Sequence, residues 1–326
     1  MFKILDYILS SIVYIVVYLF ITYIILFIFP IYYAEYKSKD FLNSVTKENV
    51  IVFYDDFKHD PTMNISHREA VEKTFLLASE HYGVNLDGFD IISLNYNDED
   101  FTEFITVVKK LKEKNKNIFV NLSFAPTDEF GAKFLYKNIQ RLADNKTIFF
   151  LSSGNNDIFL NEKPNFNSLH DKFSNYLSED DFFPEFIYDS YRATALLYSL
   201  SNFIGFTDNM KKIKEDLKKI GQEKHFNSFA SFLYTSQYYP KNKFIHIVGG
   251  CDPKISKNYF IDDVADLKCD LNSSSALDFI FDTKYYTDRA SSLITIPIGD
   301  KNETLSGTSF STPIVMAKFL RSYFEK

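Results

Sequence analysis

The sequence predicts an α/β fold: a mostly parallel sheet with helices on both faces, preceded by one transmembrane helix and carrying a helical insertion. Three observations predict it. From Glu48 onward, apolar runs of five or six residues alternate with helical stretches, the rhythm of βαβ units. No charge occurs from Tyr7 to Ala34, a run of 28 residues, and a helix needs about 20 to cross a hydrocarbon core. Between Asp157 and Gln237 the strand rhythm stops and Phe/Tyr-rich helical patterns replace it.

The apolar run is read as an uncleaved anchor, residues 1–40, with residues 7–33 in the membrane. A cleaved signal peptide would carry a shorter apolar stretch before a small-x-small site; the one candidate, Tyr32-Tyr33-Ala34, has Tyr where a small residue is wanted. Lys3 flanks one side, and Lys37, Lys39 and Lys47 the other. Counting positives leans toward a cytoplasmic body, but long domains translocate regardless of flanking charge. An extracytoplasmic body is the expectation, with the orientation left open by the sequence.

Composition narrows the function classes. The 326 residues are 46% hydrophobic, enough for a real core. The net charge of −7 argues against a nucleic-acid partner. Two cysteines are too few for a disulfide scaffold; Cys251 and Cys269 could pair outside the cytoplasm or stay as buried thiols. No His spacing suggests a metal site, so no metal and no cofactor are expected.

The elements follow in order. Val50–Tyr54 reads as a buried strand ending in Asp55-Asp56. Ser66 to Tyr82 reads as a helix with a Ser66/Glu69 capping box and Gly83 as its stop. Phe89–Leu94 is a strand, Asp100–Lys114 a helix, and Ile118–Leu122 and Thr147–Leu151 are strands around a helix near Phe134–Leu142. Phe244–Val248 is another strand, and a last helix begins near Ser309. Asn121 falls in a strand and is discounted as a glycosylation signal. The insertion, about 157–237, is either packing on the sheet or a lid or docking element.

The residues that carry chemistry centre on Gly307-Thr308-Ser309-Phe310-Ser311-Thr312-Pro313. A serine at a helix N-terminus has free backbone N–H groups beside its hydroxyl, which suits an oxyanion. Pro313 is expected in the first turn, where a missing N–H costs no intrahelical bond. The bland reading of the same phrase is a Ser/Thr-rich cap.

This phrase resembles the Gly-Thr-Ser-x-x-x-Pro nucleophile segment of the subtilisin-like serine proteases, the subtilases. Five other segments are similar to that family in the same chain order. Asp55 closes an apolar strand, as the family's acid does. Ser66-His67-Arg68-Glu69-Ala70-Val71 resembles its Ser-His-Gly-Thr-His-Val. Ile118-Phe119-Val120-Asn121-Leu122-Ser123-Phe124-Ala125-Pro126 resembles its pocket strand, and Phe149-Phe150-Leu151-Ser152-Ser153-Gly154-Asn155 its oxyanion segment. Tyr239-Pro240 followed by Ile245–Gly250 resembles the strand after it. The departures are Asp56-Phe57 after the acid, Arg68 after the histidine as a bulky cation near the cleft, Phe124-Ala125 in place of Leu-Gly, and a short span from Asp55 to His67.

The resemblance implies a subtilisin-like three-layer peptidase domain at 41–326 and acyl transfer. Ser309 would attack a peptide carbonyl, His67 would take its proton, and Asp55 would orient the imidazole. Asn155 would complete the oxyanion hole, and Ser123, Phe124, Ala125, Ser153 and Gly154 would line the substrate site. The partner is then a peptide or protein substrate. The family's structural calcium has no assignable site here. The other functional class that fits is a protease-like scaffold, catalytically impaired, that binds peptides or a membrane partner.

Overall fold

The computed structural model describes residues 2–56, 59–60, 65–96, 101–124, 129–154, 188–204, 209–219, 242–251, 288–299 and 301–325. Its centre is a six-stranded sheet of β1 (Asn49–Asp55), β4 (Phe89–Asn95), β5 (Asn117–Leu122), β6 (Thr147–Ser152), β7 (Ile245–Cys251) and β8 (Asp288–Ser291). The strand order is β4-β1-β5-β6-β7-β8, and every pairing is parallel. Two small antiparallel pairs stand apart: β2 (His59–Asp60) with β3 (Ile65–Ser66), and β9 (Leu293–Ile298) with β10 (Lys301–Ser306).

The helices follow from the order. The chain moves one way from β1 to β4 through α3 (His67–Tyr82), then reverses through α4 (Thr102–Glu113) to β5 and through α5 (Glu129–Leu142) to β6. Right-handed crossovers put helices on opposite faces when the direction reverses. So α3 and the last helix, α8 (Thr308–Phe324), share one face, with Ile51, Phe53, Val71, Phe75, Ile314 and Met316 in its core. The other face packs Val50, Val52 and Tyr54 against α4 and α5. Strand β1 feeds both cores by strict alternation.

Most expected elements stand within a residue or two of their sequence limits. The capping box is complete: Glu69 N–H donates to the Ser66 hydroxyl, and Glu69 Oε2 accepts from Ser66 N–H at 2.9 Å. Gly83 ends α3 at φ +69°, where a side chain would be strained. The segment 288–306, not anticipated from the sequence, forms β8, β9 and β10. Its hairpin turns at Gly299 (φ +59°) and buries Ile294 and Ile296 alternately. Cys251 ends β7, and Cys269 lies outside the described residues.

Within the insertion, the described residues form α6 (Tyr191–Phe203) and α7 (Asn209–Lys219) and no strand. Tyr188, Tyr191 and Ala193 are buried in the core of the α4/α5 face. Tyr191 packs its ring against Phe101, Phe130 and Phe134, and Asp189 pairs with Lys109 and Arg141. This part of the insertion is core packing.

The N-terminal helix is continuous: α1 (Phe2–Tyr23), a π-helical turn at Ile24–Ile28, and α2 (Phe29–Ser44). Its apolar stretch is long enough to cross a membrane. It also extends into the body, where Ala34, Ser38 and Leu42 are buried at i, i+4, i+8. The π-turn has an identifiable cause. Pro30 has no N–H to give the Leu26 carbonyl four residues back, and its ring crowds that turn. The helix widens, with Phe29 N–H reaching Ile24 O, and the Ser190 hydroxyl donates to Leu26 O in place of the proline. Ser190→Ala is expected to cost about 1–3 kcal/mol, because a part-buried carbonyl loses its donor. In a Pro30→Ala background, where residue 30 can donate again, the same change should cost less than half as much. Thermal unfolding of the four proteins in detergent measures this coupling.

Candidate functional site

Three adjacent strands, β1, β5 and β6, end at the same edge of the sheet. The chain departs in opposite directions from β1 and β5, so the crevice between their carboxyl ends is a topological switch point. That is where open α/β sheets place their ligands.

Asp55 is the last residue of β1 and is 2% exposed. Its Oδ1 lies 2.8 Å from His67 Nδ1 and accepts the Asp56 N–H at 2.7 Å. His67 is the first residue of α3, directly after the capping serine, so the cap fixes where the imidazole starts. With Nδ1 held by the carboxylate, the neutral ring carries its basic lone pair on Nε2. Glu69, which completes the cap, is held below the usual carboxylate range, chiefly by the hydrogen bond from Ser66 N–H. Arg68, expected as a cation near the cleft, is half-buried and donates to both oxygens of Glu72, and Glu72 also takes the Ser93 hydroxyl.

Ser309 is the second residue of α8. Gly307 caps that helix at φ 142°, ψ 158°, a region open essentially to glycine, and its N–H donates to Ser292 O at 2.8 Å. Pro313 is not in the first turn. It is the sixth helical residue, so its missing N–H removes the helical donor to the carbonyl four residues back, which is Ser309. Ser123, just past β5, replaces that donor: its hydroxyl reaches Ser309 O at 2.9 Å. Ser309 Oγ in turn donates to Ser123 O at 2.7 Å. The four-residue spacing from Ser309 to Pro313 thus frees the carbonyl that ties α8 to β5. The same arrangement holds Leu26 at Pro30.

The sequence reading missed Asn121. It is buried on β5, and its side-chain amide lies 2.8 Å from the Ser123 hydroxyl oxygen, orienting the residue that holds Ser309. The available signal was an amide in the middle of an otherwise apolar strand. Phe310 brings the two halves together, with its ring centroid 5.8 Å from that of His67.

The remaining candidates divide. Ser153, fully buried, follows β6 and donates its N–H to Val248 O at 3.0 Å, and Gly154 continues at φ +89°. Phe124 packs its ring on Tyr96 and Tyr54, with centroids at 4.1 and 5.4 Å. Ala125 and Asn155 lie outside the described residues. Among the described residues, no three His, Cys, Asp or Glu side chains gather as a metal ion would require.

Fold and site together define an α/β protein in which a hydrogen-bonded Asp–His pair and a helix-terminal serine meet at the carboxyl edge of a parallel sheet. No family model, curated protein or solved structure matches the chain.

Proposed function

We propose that this chain is a membrane-anchored serine endopeptidase of the subtilisin type. The observation that carries the reading is the 2.8 Å contact between buried Asp55 and His67, set against the α8 terminus that bears Ser309. A carboxylate on Nδ1 favours the tautomer in which Nε2 is the basic nitrogen, and it stabilises the imidazolium that forms. For this chemistry the Ser309 hydroxyl must leave the Ser123 carbonyl, to which it donates, and turn to that base. Catalytic hydrogen bonds are often unformed before substrate arrives. The oxyanion would be taken by the Ser309 N–H at the helix terminus and by the Asn155 side chain. No cofactor enters these steps.

One observation favours the second reading, a protease-like scaffold that binds peptides without cleaving them: the Ser309 hydroxyl is engaged by Ser123 O. A fluorophosphonate separates the two, because only an activated serine reacts. The full chain in detergent is expected to label covalently, and Ser309→Ala to lose the label. A folded wild type that stays unlabelled supports the scaffold, and equal labelling of the variant removes Ser309 from the role.

A further inference from the structure

Helix α6 is apolar on two sides. One side belongs to the core: Tyr191 and Ala193 are buried, and Leu197 and Tyr198 pack against the same cluster. The other side faces outward as a single stripe, Arg192, Leu196, Ser199, Leu200 and Phe203, at i, i+4, i+7, i+8 and i+11. Phe203 is 90% exposed, and Ile204, one residue past the helix, 71%. Arg192 is the one charge in the helix. A surface helix in water carries polar residues opposite its core stripe, whereas one that is apolar all round belongs in a protein interior or in lipid. The next helix has the opposite character. Lys212, Lys214, Glu215, Lys218 and Lys219 are exposed on α7. Its sequence sets five lysines against two acids, in a chain whose net charge is −7.

The N-terminal helix shows what lies beside α6. Ser190, the residue before α6, donates its hydroxyl to Leu26 O, and α6 lies alongside the π-turn Ile24–Ile28. Leu26 and Phe27 are half-buried against the core of the α4/α5 face. Farther on, Glu35 pairs with Lys110 at 3.0 Å, and Ala34, Ser38 and Leu42 are buried. The body therefore takes hold of the helix at Leu26, well before the uncharged run ends at Ala34. The stretch before that contact, Tyr7 to Ile25, is about 28 Å long at 1.5 Å per residue, enough for a hydrocarbon core of about 30 Å. Among the described residues of that stretch none is buried. The span is complete where the body begins, and α6 starts at that level.

We propose that α6 and α7 form a second membrane contact: the outward stripe of α6 lies in the acyl boundary of the bilayer that anchors the chain, and the lysines of α7 meet anionic headgroups. Leucine and phenylalanine on one stripe, with lysines close by, are what a helix lying in the interface plane presents. Anionic lipid attracts a basic segment held at its surface. Lipid is the occupant because α6 is tied at its start to the anchor helix, at the depth where the span ends. A spanning helix alone lets the body turn about the helix axis. The second contact fixes which side of the body meets the membrane. The proposal rests on the membrane anchor and not on the endopeptidase reading.

Dye quenching on the full chain in phosphatidylcholine vesicles tests this. In protein with Cys251 and Cys269 changed to Ser, one dye is placed at Ile15→Cys in the span, at Leu200→Cys on the stripe, or at Leu76→Cys on α3 across the sheet. Leu76 is 47% exposed and Leu200 44%, so these two dyes start from similar exposure. A quencher on the lipid acyl chains should quench the Ile15 and Leu200 dyes severalfold more than the Leu76 dye, and iodide in the water should do the reverse. A Leu200 dye that iodide reaches as readily as the Leu76 dye overturns the proposal. So does one shielded from iodide yet untouched by the acyl quencher, because protein, either a second copy or another part of this chain, then covers the stripe. If the Ile15 dye also escapes the acyl quencher, the anchor reading fails and the proposal with it. For the basic half, a dye at Glu215→Cys should be quenched by a headgroup-borne quencher severalfold more in vesicles containing phosphatidylserine than in neutral ones. The excess should vanish at about 1 M salt, where the screening length falls to about 3 Å. Equal quenching in the two kinds of vesicle overturns the role of α7.

Discussion

Asp55→Asn is expected to lower kcat by a factor on the order of 10⁴ while leaving the body folded. The carboxylate sits at the end of a buried strand and accepts from the imidazole and from the Asp56 N–H. An amide of the same shape can keep one of these contacts, but it favours the wrong imidazole tautomer and cannot balance the positive charge that the proposed acyl transfer would form on His67. Asp56→Asn is the control. The contact of Asp56 with the pair is made by its backbone N–H, which the substitution preserves, so the loss should stay within a few-fold. Single-turnover hydrolysis of an activated ester by both variants gives the ranking. A larger loss in Asp56→Asn would transfer the orienting role to that residue.

The second large effect belongs to Gly307. Its backbone, at φ 142° and ψ 158°, is accessible essentially to glycine, so Gly307→Ala carries roughly 1–3 kcal/mol of strain or forces the turn to move. Either result displaces Ser309, two residues on, relative to Ser123 and His67. The expected outcome is a lower Tm together with at least about a tenfold slower fluorophosphonate reaction, since about an ångström of misplacement suffices for such losses. Gly83→Ala provides the contrast. That residue has φ +69° at the end of α3, and an added Cβ would meet nothing within 4 Å, so the change should cost stability with no matching loss of reactivity. Equal slowing in both variants would mean that global destabilisation, not the position of Ser309, controls the reaction.

Local patterns in the sequence determined a large part of this protein. The Ser66/Glu69 box placed His67 on the first turn of a helix, and five apolar residues in a row placed Asp55 at a strand end. Both signals act over a few residues, through backbone hydrogen bonds and side-chain periodicity. The uncharged run likewise announced a helix long enough for a membrane. Only the tertiary structure decided what these parts do together. The reversal of strand order at β1 and β5 opens the crevice, and Ser123 holds Ser309 across 186 positions of chain. Pro313 looked harmless as a first-turn residue, yet as the sixth helical residue it frees the carbonyl that Ser123 takes. The docking of Ala34, Ser38 and Leu42 was hidden as well, because three residues at i, i+4, i+8 among Glu35, Lys37, Lys39 and Asp40 carry no separate signal until α4 packs against them. Strands β8 to β10 escaped notice because β8 and β10 are short and polar; β8 becomes a strand by pairing with β7, and β9 and β10 by pairing with each other. Such pairings depend on which distant groups the fold brings within hydrogen-bonding reach, and no local propensity encodes that distance.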